Sequence, residues 1–85
     1  MKLTVVTPQH KNEYAVEWIE GHTPTGSIIV LPGHAPIIMT LSAGFDLSFL
    51  LSTGEKKRVK LLRPGFLEVN RTGALALINQ EADSI

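Results

Sequence analysis

No cysteine occurs in this sequence. Disulfide frameworks, thiolate zinc sites and cysteine nucleophiles are therefore excluded. Small secreted domains usually need disulfide staples, so the composition points to a reducing compartment. Net charge is also missing: 8 Lys and Arg balance 8 Asp and Glu. A dedicated nucleic-acid binder would carry a net basic field. No apolar run approaches the roughly 18 residues of a spanning helix. The opening Met1-Lys2-Leu3-Thr4-Val5-Val6 has no signal-peptide apolar region of useful length. Aromatics make up only 6% of the chain, too few for a base-stacking platform interleaved with cations. No segment shows a sustained helical period with caps at both ends, and there is no internal repeat or low-complexity tract.

What is present is a β pattern in a chain of 85 residues, the size of one domain over positions 1–85. Hydrophobic residues make up 44% and charged residues 19%, a globular balance. Phe45, Leu47, Phe49 and Leu51 alternate with Asp46, Ser48, Leu50 and Ser52. Tyr14, Val16 and Trp18 repeat the alternation, as do Lys57, Val59 and Leu61 against Lys56, Arg58 and Lys60. Period two places alternate residues on opposite sheet faces. Turn signals at Thr7–His10, Gly21–Gly26, Ser42–Gly44, Ser52–Glu55 and Asn70–Gly73 divide the chain at the roughly 8–12-residue spacing of sandwiches and barrels. The expected fold is all-β, a small flattened antiparallel β-sandwich of about eight to ten short strands. Its expected core comprises Leu3, Val5, Trp18, Val30, Ile38, Phe49, Leu61, Leu67 and Leu77. A domain of this size is stable by about 4–13 kcal/mol, which leaves little for a strained active site. The cations of Lys56-Lys57-Arg58-Val59-Lys60 suit an edge strand guarded against pairing.

Chemistry-bearing constellations are weak. His10, His22 and His34 stand in three separate turns, not at metal-ligand spacing, so no metal site is expected. Ser27 or Ser42 with His34 and Asp46 could be written as a triad, but no nucleophile elbow is present. Gly21, Gly26 and Gly33 form no phosphate loop. No catalytic residue and no cofactor are expected. Asn70-Arg71-Thr72 matches a glycosylation sequon and reads as a hairpin turn. The most shaped element is Leu31-Pro32-Gly33-His34-Ala35-Pro36, set between apolar segments. Proline fixes φ and glycine permits positive φ, so Pro32, Gly33 and Pro36 make a stiff corner carrying one imidazole. Such a corner either reverses the chain or presents a surface. The residues alone imply a protein-binding sandwich, the alternative being a sandwich or barrel that binds nucleic acid or another ligand.

Gly26, the Leu31–Pro36 corner, Gly44 and Gly65-Phe66-Leu67-Glu68-Val69, with the opening Leu3-Thr4-Val5-Val6-Thr7-Pro8, resemble the epsilon subunit of F-type ATP synthases. The resemblance runs from about Lys2 to Ala82. It implies a flattened N-terminal β-sandwich and a non-catalytic place at the foot of the rotor. There the gamma subunit and the membrane-embedded c-ring are the partners, nucleic acid is not, and coupling of ring rotation to ATP synthesis is the role. Membrane association would run only through the complex, on the cytoplasmic face of a bacterial inner membrane or the equivalent organelle side. Carried over by position, Thr7, His34 and Met39 match places that face gamma, and Thr25, Gly26 and Ser27 match the end facing the c-ring. Ser27 stands where the family often has a carboxylate, which implies the loss of a charged c-ring contact. Ile29 stands where the family often has glycine; it either replaces that contact with an apolar one or belongs to the core. The family's C-terminal helical hairpin has no counterpart in residues 1–85, so the resemblance implies coupling without inhibition through that element. The final Glu81-Ala82-Asp83-Ser84-Ile85 is short and polar.

Overall fold

The structure is a computed structural model that describes residues 1–80; the polar segment 81–85 lies outside the described residues. Eight strands follow one another: β1 (Lys2–Val6), β2 (Lys11–Thr23), β3 (Gly26–Val30), β4 (Ile37–Leu41), β5 (Asp46–Leu51), β6 (Lys56–Lys60), β7 (Gly65–Val69) and β8 (Gly73–Leu77). The expected all-β fold is found, within the expected strand number. Every pairing is antiparallel except β1 with β8, which is parallel.

The 13-residue β2 organises the molecule. Its first part pairs with β1, and its second part pairs with β3 on one edge and β5 on the other. One sheet therefore runs β4-β7-β8-β1-β2, and the second contains β3, β2, β5 and β6. The register slips between Val16 and Trp18. An extra residue at Glu17 bends the strand and reverses its alternation. Val16 and Ile19 are both fully buried in consequence. The two layers fold into a body of 28 × 27 × 19 Å. The short axis fits two sheets packed about 10 Å apart with side chains on their outer faces.

Between the layers, Leu3, Val5 and Leu67 of the first sheet meet Val30, Leu47 and Phe49 of the second, and Leu61 follows β6 into the same core. Tyr14 packs its ring 5.2 Å from that of Phe49, and its burial pushes the phenol pKa up. Six expected core residues, Leu3, Val5, Val30, Phe49, Leu61 and Leu67, are at most 2% exposed.

Three expected core residues are not there. Trp18 is half-buried on the outer side, because the bulge turns it away from the core. The Lys56 ammonium lies 5.4 Å from its ring, a cation–π contact. Ile38 is 70% exposed, and its neighbours Met39 and Leu41 point inward instead. Leu77 is 44% exposed, whereas Ala74 and Ala76 face the core. The parallel register places these alanines beside Leu3 and Val5, which leave room only for a small side chain. Phe45, read in alternation with Leu47 and Phe49, precedes β5 and is exposed. It stacks on His22 at 4.9 Å between ring centroids. Ile29 is exposed on β3 and is no part of the core.

Gly73 lies where β8 meets β1. A Cβ there would stand 2.5 Å from the Lys2 carbonyl oxygen, which is backbone and cannot swing aside. Gly73→Ala should therefore destabilise by about 1–3 kcal/mol, as overpacking does. Thermal melting should fall by about 4–8 °C for each kcal/mol. An unchanged melting temperature would show that β1 and β8 are less tightly held than this register requires.

Candidate functional site

Three features stand out at the surface: the 31–36 corner, the tip of the β2–β3 hairpin, and the outer face of the first sheet. The corner is a β-turn closed by the His34 amide donating to the Leu31 carbonyl at 3.1 Å. Pro32 occupies its second position and Gly33, at φ +82°, its third. Proline followed by a positive-φ glycine is the type II pattern. The His34 ring is fixed by its own chain, since Nδ1 lies 2.7 Å from the Ala35 carbonyl oxygen. A carbonyl can only accept, so Nδ1 is the donor in this contact. His34 is half-buried. Pro36 holds Ala35 in extended backbone and leads the chain into β4.

The hairpin tip is ordered by Thr23. Its hydroxyl donates to the Gly26 carbonyl at 2.9 Å and accepts from the Thr25 amide at 3.3 Å. Thr25, Gly26 and Ser27 are all exposed at this end. They carry no charge.

Thr7 lies at the β1–β2 corner. Its amide donates to the His10 carbonyl at 2.9 Å, and its hydroxyl accepts from the His10 amide at 3.0 Å. Thr7 is nearly buried, so it holds the corner rather than offering a free side chain. Met39 is 8% exposed and faces the core. The register places Thr7 just past Val6, at one end of the first sheet, and His34 beyond the other end, ahead of Ile37. The structure thus does not bring Thr7, His34 and Met39 into one cluster. On β4 the exposed side chains are those of Ile38 and Thr40.

The outer face of the first sheet runs between the end that carries Thr7 and the end that carries His34, and alternation alone does not mark it out. Ile38, Glu68, Leu75, Thr4 and Glu13 stand side by side in one row, with Thr40, Phe66, Leu77 and Val6 in the next. Ile38 is 70%, Phe66 52% and Leu77 44% exposed. An outward sheet face is ordinarily polar, and large apolar groups that sit together on a surface mark an interaction site. The signal was legible in β7, where Phe66 is a large apolar group out of phase with the buried Leu67 and Val69, but not in β8, where alternation favours the leucines for the core. At the margin Lys2 and Glu13 pair at 2.9 Å. The Lys2 hydrogen bond holds the Glu13 carboxyl below its usual range.

The second sheet's outer face is polar. Lys56, Arg58 and Lys60 project from β6, and Glu20 and Asp46 share the same trough. The cations stand among carboxylates, not in a field of one sign. Lys57 also lies 3.5 Å from Glu55. This distribution fits the expected guarded edge. Asn70 Oδ1 accepts from the Thr72 and Gly73 amides at 3.0 and 2.9 Å, so the sequon is a turn. Among the described residues no group of three His, Asp or Glu could hold a metal.

These observations define a class: a small two-layer β-sandwich with an apolar outer face and preformed corners. Within that class, the chain belongs to the ATP synthase delta/epsilon chain β-sandwich domain family, whose model matches residues 1–80. It is 36% identical over 81 residues to the ATP synthase epsilon chain of Bdellovibrio bacteriovorus, covering 93% of this chain and 57% of that relative. With the Carboxydothermus hydrogenoformans ATP synthase epsilon chain it shares 39% identity over 82 residues, covering 93% and 58%. The chain thus spans less than two thirds of the length of these relatives. Its fold matches a chain in the cryo-EM structure of the Euglena gracilis mitochondrial ATP synthase, OSCP/F1/c-ring, with TM-score 0.79 and 22% identity. That match covers 98% of this chain and 54% of the other.

The corner's conformation depends on Gly33. A Cβ there meets nothing within 4 Å, so the cost of a side chain is purely that of positive φ, about 1–2 kcal/mol. Gly33→Val should lower the melting temperature accordingly, and Gly33→Asn visibly less, because asparagine tolerates this backbone region. Equal losses in the two variants would contradict the type II geometry.

Proposed function

We propose that this chain forms the sandwich domain of a rotor-stalk subunit in a proton- or ion-translocating F-type ATP synthase. It docks on gamma, rests against the c-ring and helps couple ring rotation to ATP synthesis. It contributes no catalytic group, cofactor or metal. Its place is peripheral, on the cytoplasmic face of a bacterial inner membrane or the corresponding organelle side. Family membership and the epsilon-chain relatives support this reading.

The single observation that carries the gamma contact is the exposed apolar face of Ile38, Phe66 and Leu77. Large apolar side chains clustered at the centre of a patch provide most of an interface's energy. His34 lies toward one end of this face as a rim contact, and Thr7 lies toward the other, where it fixes the corner that borders the face. Met39 acts from beneath, by seating β4 so that Ile38 projects. The tip at Thr25, Gly26 and Ser27 faces the c-ring, and its lack of charge makes that contact insensitive to salt. Both corners are already ordered, so docking costs them little conformational entropy.

Ile38→Ala combined with Phe66→Ala should weaken gamma binding by about 10- to 100-fold in titration calorimetry. The melting temperature should barely change, because both side chains are exposed. Arg58→Ala on the opposite face should bind as the parent chain does. Undiminished affinity in the folded double variant would overturn this assignment of the gamma surface.

A further inference from the structure

Among the described residues, four strand edges have no neighbouring strand. One is the outer edge of the first part of β2, which carries Lys11 and Glu13. Another is β6, with Lys56, Lys57, Arg58 and Lys60. These two carry the charges that ordinarily discourage strangers from pairing. The remaining two are β3, Gly-Ser-Ile-Ile-Val, and β4, Ile-Ile-Met-Thr-Leu. Neither has a charged residue, a proline or a bulge. They also border one groove, lined by Ile28 of β3 and by Ile37, Met39 and Thr40 of β4, with Thr23 and Thr25 at the hairpin end. At this same end the chain leaving β4 is tied to β2, because the Ser42 amide donates to the His22 carbonyl at 2.8 Å.

We infer that the free edge of β4 is a strand-addition site for an extended segment of the gamma partner, an inference that rests on the gamma reading above. Two observations choose this occupant. Ile38 belongs both to β4 and to the apolar face assigned to gamma, so a partner seated on that face reaches this edge without a gap. The groove is also uncharged, so backbone hydrogen bonds supply the attraction and alternate side chains the fit. About four residues can pair, alongside Ile37–Thr40, before the Ser42–His22 bond stops the ladder. Partner side chains opposite Ile37 and Met39 enter the groove toward Ile28 and must be apolar. Those opposite Ile38 and Thr40 extend the outer face of the first sheet. The charged β6 edge receives nothing.

Amide hydrogen exchange on the chain, free and bound to purified gamma, tests the inference. Amides of residues 37–40 that do not donate to β7 should slow by about ten-fold or more on binding, with those of residues 56–60 unchanged. Ile37→Lys, at a position 39% exposed, places a charge in the groove. It should weaken gamma binding by about ten-fold while leaving the melting temperature close to that of the parent. Gamma binding without protection of residues 37–40 overturns strand addition and leaves the face reading intact. Failure of gamma to bind the folded chain overturns both. A free chain that sediments as a dimer, and becomes monomeric with Ile37→Lys, assigns the edge to a second copy and overturns the gamma segment.

Discussion

Everything in this molecule depends on one strand serving two sheets. β2 leaves the first layer and enters the second at the bulge around Glu17. A straight, evenly alternating strand of 13 residues could not lie in both layers while keeping its apolar side inward. The extra residue bends the chain and shifts the phase, so that Val16 on one side and Ile19 on the other both reach the core. Phe49, Leu47 and Leu3 then pack in a single apolar interior. The same shift expels Trp18, which finds shelter beneath the Lys56 ammonium.

The two outer faces are physically different. The second sheet offers water a mixture of cations and carboxylates, and its β6 edge is charged. The first sheet offers Ile38, Phe66 and Leu77, and the β4 edge beside them is uncharged. A free-standing domain gains nothing from such exposed apolar surface, whereas a component of an assembly can bury it. The apolar face, the uncharged edge and the ordered hairpin tip lie around one side of the sandwich. The proposed rotor contacts are therefore one extended surface with parts of different chemistry. Backbone pairing, apolar contact and a neutral polar tip would each bear on it.

Local features were legible in the residues. Leu31-Pro32-Gly33-His34 forms the turn that its proline and glycine demand, and Asn70 folds its turn through its own side-chain oxygen. The cationic edge strand is where its charges place it. The outer-face residues were harder to assign. In Ile37-Ile38-Met39-Thr40-Leu41 both phases are apolar, so alternation does not say which set is buried. In Ala74-Leu75-Ala76-Leu77 hydrophobicity favours the leucines for the core, and the structure chooses the alanines. Resemblance places Thr7, His34 and Met39 at the gamma contact by position alone. Their side chains respectively bind a turn, bond to the adjacent carbonyl and enter the core, while the exposed chemistry lies on their neighbours.

The sequence by itself determined that the chain is all-β, where it turns, which edge repels partners, and which family it resembles. Those properties follow from φ preferences, periodicity and charge, which act over a few residues. Tertiary structure alone decided which phase of each strand faces inward, and hence which apolar residues remain for a partner. That choice rests on the parallel β1–β8 register, the β4–β7 register and the bulge in β2. All three depend on volumes contributed by residues distant in the chain. Ala76 is buried because Val5 and Leu67 fill the space on either side of it, and Leu77 is exposed for the same reason.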